Sequence, residues 1–261
     1  MKEYFIVSDV HSFYDAMIKA LVNNGFDENN PNHIIISCGD LFDRGKQAKK
    51  VLDFFYKLYT QKRCILVSGN HDDLFYDMIQ RQTYFKEDIH NGTLMTLAQL
   101  QTQEMNILDV LNNFPLACKA YDKRIDELRE NSINYIEFKN HIFVHGWIPL
   151  NEIDDKYIYD PKWRLNTSLS SWEQSRWLNG MEMQSKGFID PCKTIICGHW
   201  HASWGYVRKN FKSLTDDEYK ELEFSNKNFF KPFYDTGIIA IDSCVSFTGF
   251  CNCLHFSEGE I

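Results

Sequence analysis

One pattern recurs five times along this chain and restricts its fold more than any other feature. A short run rich in Ile and Val ends in one or two small residues, then in Asp, Asn or His. Tyr4-Phe5-Ile6-Val7 precedes Ser8-Asp9-Val10-His11, and Ile34-Ile35-Ile36 precedes Ser37-Cys38-Gly39-Asp40. Ile65-Leu66-Val67 precedes Ser68-Gly69-Asn70-His71, Ile142-Phe143-Val144 precedes His145-Gly146, and Ile195-Ile196-Cys197 precedes Gly198-His199-Trp200-His201. Runs that are apolar on successive residues suit strands buried on both faces. In α/β folds, ligands and catalytic groups gather beyond the carboxyl ends of such strands.

The segments between the runs support an α/β fold. Phe13, Met17 and Leu21 repeat at helical spacing before Asn23-Asn24-Gly25, a helix stop signal. Ala48, Val51, Leu52, Phe55, Leu58 and Tyr59 share one helical face. Residues 4–68 therefore read β-α-β-α-β, with a further helix over 72–81. Residues 92–130 read as mainly helical, interrupted at Pro115, and form the bulk of a helical cap inserted over 82–130. Residues 133–144 read as a hairpin turning at Lys139-Asn140, which makes the second half partly antiparallel. Residues 150–190 read as loop-rich and aromatic, and 208–233 as a charged, exposed excursion. Gly237–Asp242 and Phe250–Phe256 close the chain as strands. With no internal repeat and no low-complexity linker, residues 1–261 read as one domain.

Composition narrows the function. The formal net charge of −8 and the absence of a long basic run argue against a nucleic-acid coat. No apolar stretch approaches the roughly 20 residues of a membrane span. The N-terminal segment runs directly into a strand, so no signal peptide is expected, and the eight cysteines then read as reduced thiols of a cytoplasmic protein. Cys251-x-Cys253 reads as alternation on one face of the last strand, with a metal site as the alternative.

The polar residues at the strand ends are Asp9, His11, Asp40, Asn70, His145, His199 and His201. All bind through oxygen or imidazole nitrogen and none through thiolate. Such a set suits manganese, iron or zinc and fits poorly with a structural cysteine site.

The order Asp9-Val10-His11, Gly39-Asp40-Leu41-Phe42-Asp43-Arg44-Gly45, Gly69-Asn70-His71-Asp72, His145-Gly146, Gly198-His199-Trp200-His201 resembles the calcineurin-like metallophosphoesterases. The Asp43-Arg44-Gly45 extension points to their phosphoprotein-phosphatase branch, which also contains diadenosine tetraphosphate hydrolases. The resemblance implies two mixed β-sheets packed as a sandwich flanked by helices. It implies two divalent metal ions, manganese foremost and iron or zinc as alternatives. Asp9, His11 and His201 would hold one ion and Asn70, His145 and His199 the other, with Asp40 bridging. Two metals of this kind lower the pKa of a shared water and so supply a hydroxide for in-line attack on phosphorus. The cations outweigh two carboxylates and a hydroxide, and Arg44 adds to the positive excess that would match a phosphate dianion inside an acidic protein.

The same resemblance makes His71 the acid that protonates the leaving oxygen, with Asp43 holding its far nitrogen. Arg44 would grip phosphate oxygens bidentately. A second phosphate-binding arginine is expected from Arg164 or Arg176, with Arg176 preferred. Trp147 and Trp200 adjoin ligand positions and are candidates for cleft walls, for stacking on a base, or simply for core.

Three features depart from the family pattern. Ser8 and Ser12 stand where glycines often flank the first motif. Asp72 replaces a glutamate of eukaryotic protein phosphatases and suggests a bacterial or phage-type member. His201 is absent from many protein phosphatases. The leading expectation is a phosphomonoesterase of the protein-phosphatase type, acting on a phosphoprotein or nucleotide substrate. The alternatives are a dinucleoside polyphosphate hydrolase or phosphodiesterase with the same metals, and a non-catalytic interaction module.

Overall fold

A computed structural model describes every residue except Glu104 and Asp155, one in the 82–130 segment and one in 150–190. The first half alternates as the periodicity requires: β1 (Glu3–Val7), α1 (Tyr14–Asn23), β2 (His33–Ser37), α2 (Ala48–Thr60) and β3 (Cys64–Leu66). Five helices follow: α3 (Asn70–Arg81), α4 (Lys86–Asn91), α5 (Thr93–Gln99), α6 (Ile107–Asn112) and α7 (Phe114–Ala117). After α8 (Arg124–Glu130) come β4 (Ile136–Glu137) and β5 (His141–Phe143), then the hairpin β6 (Leu150–Ile153) and β7 (Lys156–Tyr159). The remainder is α9 (Leu169–Arg176), α10 (Gly180–Ser185), β8 (Thr194–His201), α11 (Ser203–Asn210), α12 (Asp216–Ser225), β9 (Phe233–Asp235), β10 (Ile238–Asp242), α13 (Val245–Thr248) and β11 (Leu254–Ser257).

Two sheets stack. One has the order β11-β1-β2-β3, with β1, β2 and β3 parallel and β11 antiparallel. The other has the order β4-β5-β8-β10-β9, parallel in its centre and antiparallel at both edges. Tyr4, Ile6, Ile34 and Ile36 meet Phe143, Ile196, Ile239 and Ile241 between the sheets. Phe5, Val7 and Ile35 point the other way, into helices α1 and α2. Ile142, Val144, Ile195 and Cys197 face Trp147, Trp163 and Trp172 on the outer side of the second sheet. Each central strand is thus apolar on both faces, which is why its residues are hydrophobic in succession rather than alternately.

Four local expectations change. Residues 150–190, read as loop-rich, hold a hairpin and two helices. The 208–233 excursion ends in core, since Phe230 and Phe233 are buried. The last strand begins only at Leu254, so Cys251 and Cys253 precede it and do not alternate on its face. Pro115 lies in the first turn of α7, where its missing N–H costs nothing, so the helical break falls just before it. The helices of 82–130 share a core with α1 and α2: Leu94, Leu97, Val110 and Phe114 join Leu52 and Phe55.

Candidate active site

Asp9, His11, Asp40, Asn70, His145 and His199 converge where the parallel strands of both sheets end. Asp40 occupies the centre. Its Oδ1 accepts the His71 amide at 3.0 Å, at the N-terminus of α3, where helix dipoles favour anions. Its Oδ2 lies 3.8 Å from Nε2 of His11 and 3.4 Å from Nε2 of His145. Both imidazoles are fixed from behind. His11 Nδ1 contacts the Phe42 carbonyl and His145 Nδ1 the Cys38 carbonyl, each at 2.8 Å, which leaves the Nε2 atoms facing the centre. Asn70 Oδ1 reaches His145 Nε2 at 2.7 Å. Asp9 accepts from Ser8 Oγ at 2.5 Å and from the His199 amide at 3.0 Å.

The backbone is bent to aim these groups. Asp9, His11, Asp40, Asp43, Arg44 and His199 all have positive φ, between 47° and 74°. Such strain gathers at functional sites. Two glycines permit the close approach of neighbouring strands: a Cβ on Gly69 would collide with the Asp40 carboxylate, and one on Gly198 with Ser8 and Asp9.

The electrostatics call for cations. Asp9, Asp40 and Asp242 are buried, and among the described residues none forms an ion pair with Lys or Arg. Burial, with Asp40's charge adding, pushes the Asp9 carboxyl up to about 6 despite His145 beside it. Burial disfavours a charged His145, yet Asp40 and Asp9 around it push it up to about 9. Burial acts against Asp40's charge too, and the surrounding His145, His71 and His11 still hold it well below the usual carboxylate range. His11, Asp40 and His71 offer donor atoms within 4.8 Å of one another, and so do Asp40, His145 and His199. A pair of divalent ions would satisfy this oxygen-and-imidazole donor set.

His71 Nδ1 lies 2.7 Å from Asp43 Oδ2, and its Nε2 lies 3.3 Å from the Arg44 guanidinium. Burial would lower His71, but Asp40 and Asp43 raise it above the ordinary histidine value. Asp43 is itself held by Thr93 Oγ1 at 2.9 Å and Thr96 Oγ1 at 2.7 Å. Sequence reasoning did not name these threonines, which stand fifty residues from Asp43 and carry no local signal.

His201 lines the same cleft but joins neither donor group. Its Nδ1 meets Ser203 Oγ at 2.7 Å, and its Nε2 lies 3.8 Å from Glu223, which is buried beside Arg208. The two further arginines lie outside the cleft lining. Arg164 pairs with Glu137 at 2.7 Å and Asp190 at 2.9 Å, and Arg176 with Asp73 at 2.5 Å and Asn134 at 2.8 Å. Carboxylates that arrive from other elements thus pair with both guanidinium groups. Trp147 is core, its indole donating to the Phe188 carbonyl at 2.8 Å, whereas Trp200 and the unexpected Trp177 wall the cleft. Asp242, at the end of β10, also lines it, with Oδ1 accepting from the Cys244 amide at 2.7 Å.

The family model for calcineurin-like phosphoesterases matches residues 4–203, which span the site from Asp9 to His201 but not Arg208, Glu223 or Asp242. The chain belongs to the calcineurin-like phosphoesterase family. Among curated proteins, this phosphoesterase is 25% identical over 159 residues to an asymmetrical bis(5'-nucleosyl)-tetraphosphatase PrpE of Oceanobacillus iheyensis, covering 58% of each chain. It is 33% identical over 104 residues to the Bacillus subtilis protein of the same name, covering 38% of this chain and 41% of that one. The matches thus span less than two thirds of either relative. A solved structure described as a diadenosine tetraphosphatase superposes over the whole phosphoesterase chain and 91% of its own, with TM-score 0.53 at 15% identity. A cold-active protein-tyrosine phosphatase from Shewanella superposes over 99% and 76%, with TM-score 0.50 at 16% identity. These likenesses concern the fold.

Proposed function

We propose that this phosphoesterase is a metal-dependent hydrolase of phosphoric esters. The observation that carries the reading is Asp40 Oδ2 standing between the Nε2 atoms of His11 and His145. Asp9, His11 and Asp40 would hold one divalent ion, and Asp40, Asn70, His145 and His199 the second. His201, which lines the cleft with its Nε2 3.8 Å from Glu223, would join the first position. When bound, such ions polarise the phosphoryl group and activate water, and manganese suits the hard oxygen and imidazole donors, with iron or zinc as alternatives.

The chain's own residues do the rest. Phe42 and Cys38 carbonyls orient His11 and His145. Arg44 offers a planar fork for two phosphate oxygens. Asp43 holds Nδ1 of His71 so that Nε2 delivers its proton to the departing oxygen. Residues 1–261 would act as one domain, with 82–130 supplying the threonines behind Asp43. The eight free thiols support a reducing, cytoplasmic setting. No described helix is long and apolar enough to cross a membrane.

The leading substrate class is a phosphomonoester of the protein-phosphatase type. A second reading, hydrolysis of dinucleoside polyphosphates, is favoured by the two PrpE relatives. Metal-reconstituted protein should be assayed on p-nitrophenyl phosphate, its bis-ester, a phosphopeptide and diadenosine tetraphosphate. Turnover that chelator abolishes and manganese restores supports the reading. Inactivity on all four with metal bound would refute it.

A further inference from the structure

Two cavities meet at one side chain. The cleft above the histidines, about 290 Å³, is walled by Trp177. So is a second groove of about 250 Å³, lined also by Leu150, Glu152, Tyr157, Ser171 and Gln174. It lies between the β6–β7 hairpin and α9. Together the two fall within the roughly 300–1,000 Å³ common for small-ligand sites.

Trp177 is 52% exposed, in a chain that buries Trp147, Trp163 and Trp172. It touches a proposed metal ligand. Its carbonyl contacts His199 Nε2 at 3.2 Å, and the imidazole meets the indole edge-on at 5.7 Å between ring centres. An aromatic face left in water beside a phosphoryl site is a platform for stacking. Tyr157 and Leu150 add apolar surface to the groove.

The polar groups of the groove select what stacks there. Gln174 presents an amide, Ser171 a hydroxyl and Glu152 a carboxylate, and among the described residues no Lys or Arg lines it. A second phosphate or an acidic peptide flank therefore gains no attraction. A purine gains on both counts. Its faces stack, and a glutamine amide can pair bidentately with a ring nitrogen and an exocyclic amine. Glu152 can accept from the same kind of amine.

We propose that this groove is a nucleobase slot, which takes the adenine-type base of a nucleoside phosphate whose phosphoryl group lies in the adjoining cleft. The phosphate end of the proposal rests on the hydrolase reading above. The base end does not, because adenosine alone suffices to probe it.

Adenosine should be titrated into the metal-reconstituted protein by calorimetry and tryptophan fluorescence, with tyrosinamide as an aryl comparison. The slot predicts quenching and submillimolar binding of adenosine, weakened at least tenfold in both Trp177→Ala and Gln174→Leu. It also predicts weaker binding of tyrosinamide. In turnover, the ratio of kcat/KM for adenosine 5'-monophosphate to that for β-glycerophosphate should fall at least tenfold in Gln174→Leu. Circular dichroism shows whether each variant keeps the fold. Should glycerophosphate be hydrolysed while adenosine fails to bind, the slot is wrong and the hydrolase reading stands. Adenosine binding without any hydrolysis supports the slot and removes the hydrolase reading. Equal binding of tyrosinamide, unaffected by Gln174→Leu, would overturn recognition of a base.

Discussion

Asp43 Oδ2 lies 2.7 Å from Nδ1 of His71, and both side chains are buried. The contact fixes which ring nitrogen faces the cleft and favours the imidazolium, the form that can donate a proton. His71→Asn should therefore slow hydrolysis of esters with poor leaving groups by ~10²-fold or more, with a smaller loss for p-nitrophenyl phosphate. Steady-state rates on a leaving-group series check this. An equal loss on every ester would remove the acid role.

The threonines behind Asp43 extend the same argument. Thr93 and Thr96 each donate a hydroxyl to the Asp43 carboxylate, and neither exposes surface. Thr96→Val keeps the shape but removes the donor to Asp43 Oδ1 and the acceptor of the Asp43 amide, each loss leaving a buried group short of a partner at a cost of about 1–3 kcal/mol. Activity on poor leaving groups should fall, and the alkaline limb of the pH–rate profile, where the acid His71 loses its proton, should shift. A profile identical to the parent's would show that the hydroxyl does not act through Asp43.

Gly69 has no room for a side chain. The Cβ of Gly69→Ala would strike the Asp40 carboxylate and its backbone amide. The variant should fold, because the clash is confined to the strand ends, but bind divalent metal at least tenfold more weakly. Metal titration by calorimetry measures it, and parent-like affinity would mean that Asp40 does not need its observed position.

The metal-free protein should lose stability as pH rises from about 6.5 to 9. His145 is raised from its ordinary value of 6.5 to about 9, chiefly by the Asp40 charge acting against burial, so its contribution is lost across that interval. Groups with raised folded values stabilise fully below their unfolded values and cease to do so as pH passes the folded ones. Melting temperature should fall on the order of 5 °C across that interval and respond less when metal is bound. Thermal scans with and without chelator test this. A melting temperature that rises over the interval without metal would contradict it.

Much of this architecture is legible in the residues because each central strand must be apolar on two faces at once. Ile34-Ile35-Ile36 is a strand for that reason, and Asp40 beyond it points where the fold collects ligands. The same pattern occurs a sixth time, in Ile238-Ile239-Ala240-Ile241 before Asp242. That strand was identifiable, but with no flanking Gly or His its terminal carboxylate drew no notice. The β6–β7 hairpin was less visible because it is largely exposed, so no core face imposes alternation on it. The environments of Arg164, Arg176 and His201 were invisible for another reason. Their partners Glu137, Asp73 and Glu223 come from distant parts of the chain, and pairing across such separations leaves no local trace.

Metal content of the purified, reconstituted protein, measured against that of Asp40→Asn, tests the centre most directly. Two divalent ions per parent chain, and a loss of metal together with turnover in Asp40→Asn, are the predicted result. A parent that turns over fully without metal, or an Asp40→Asn protein that keeps both ions and full activity, would contradict the dinuclear assignment.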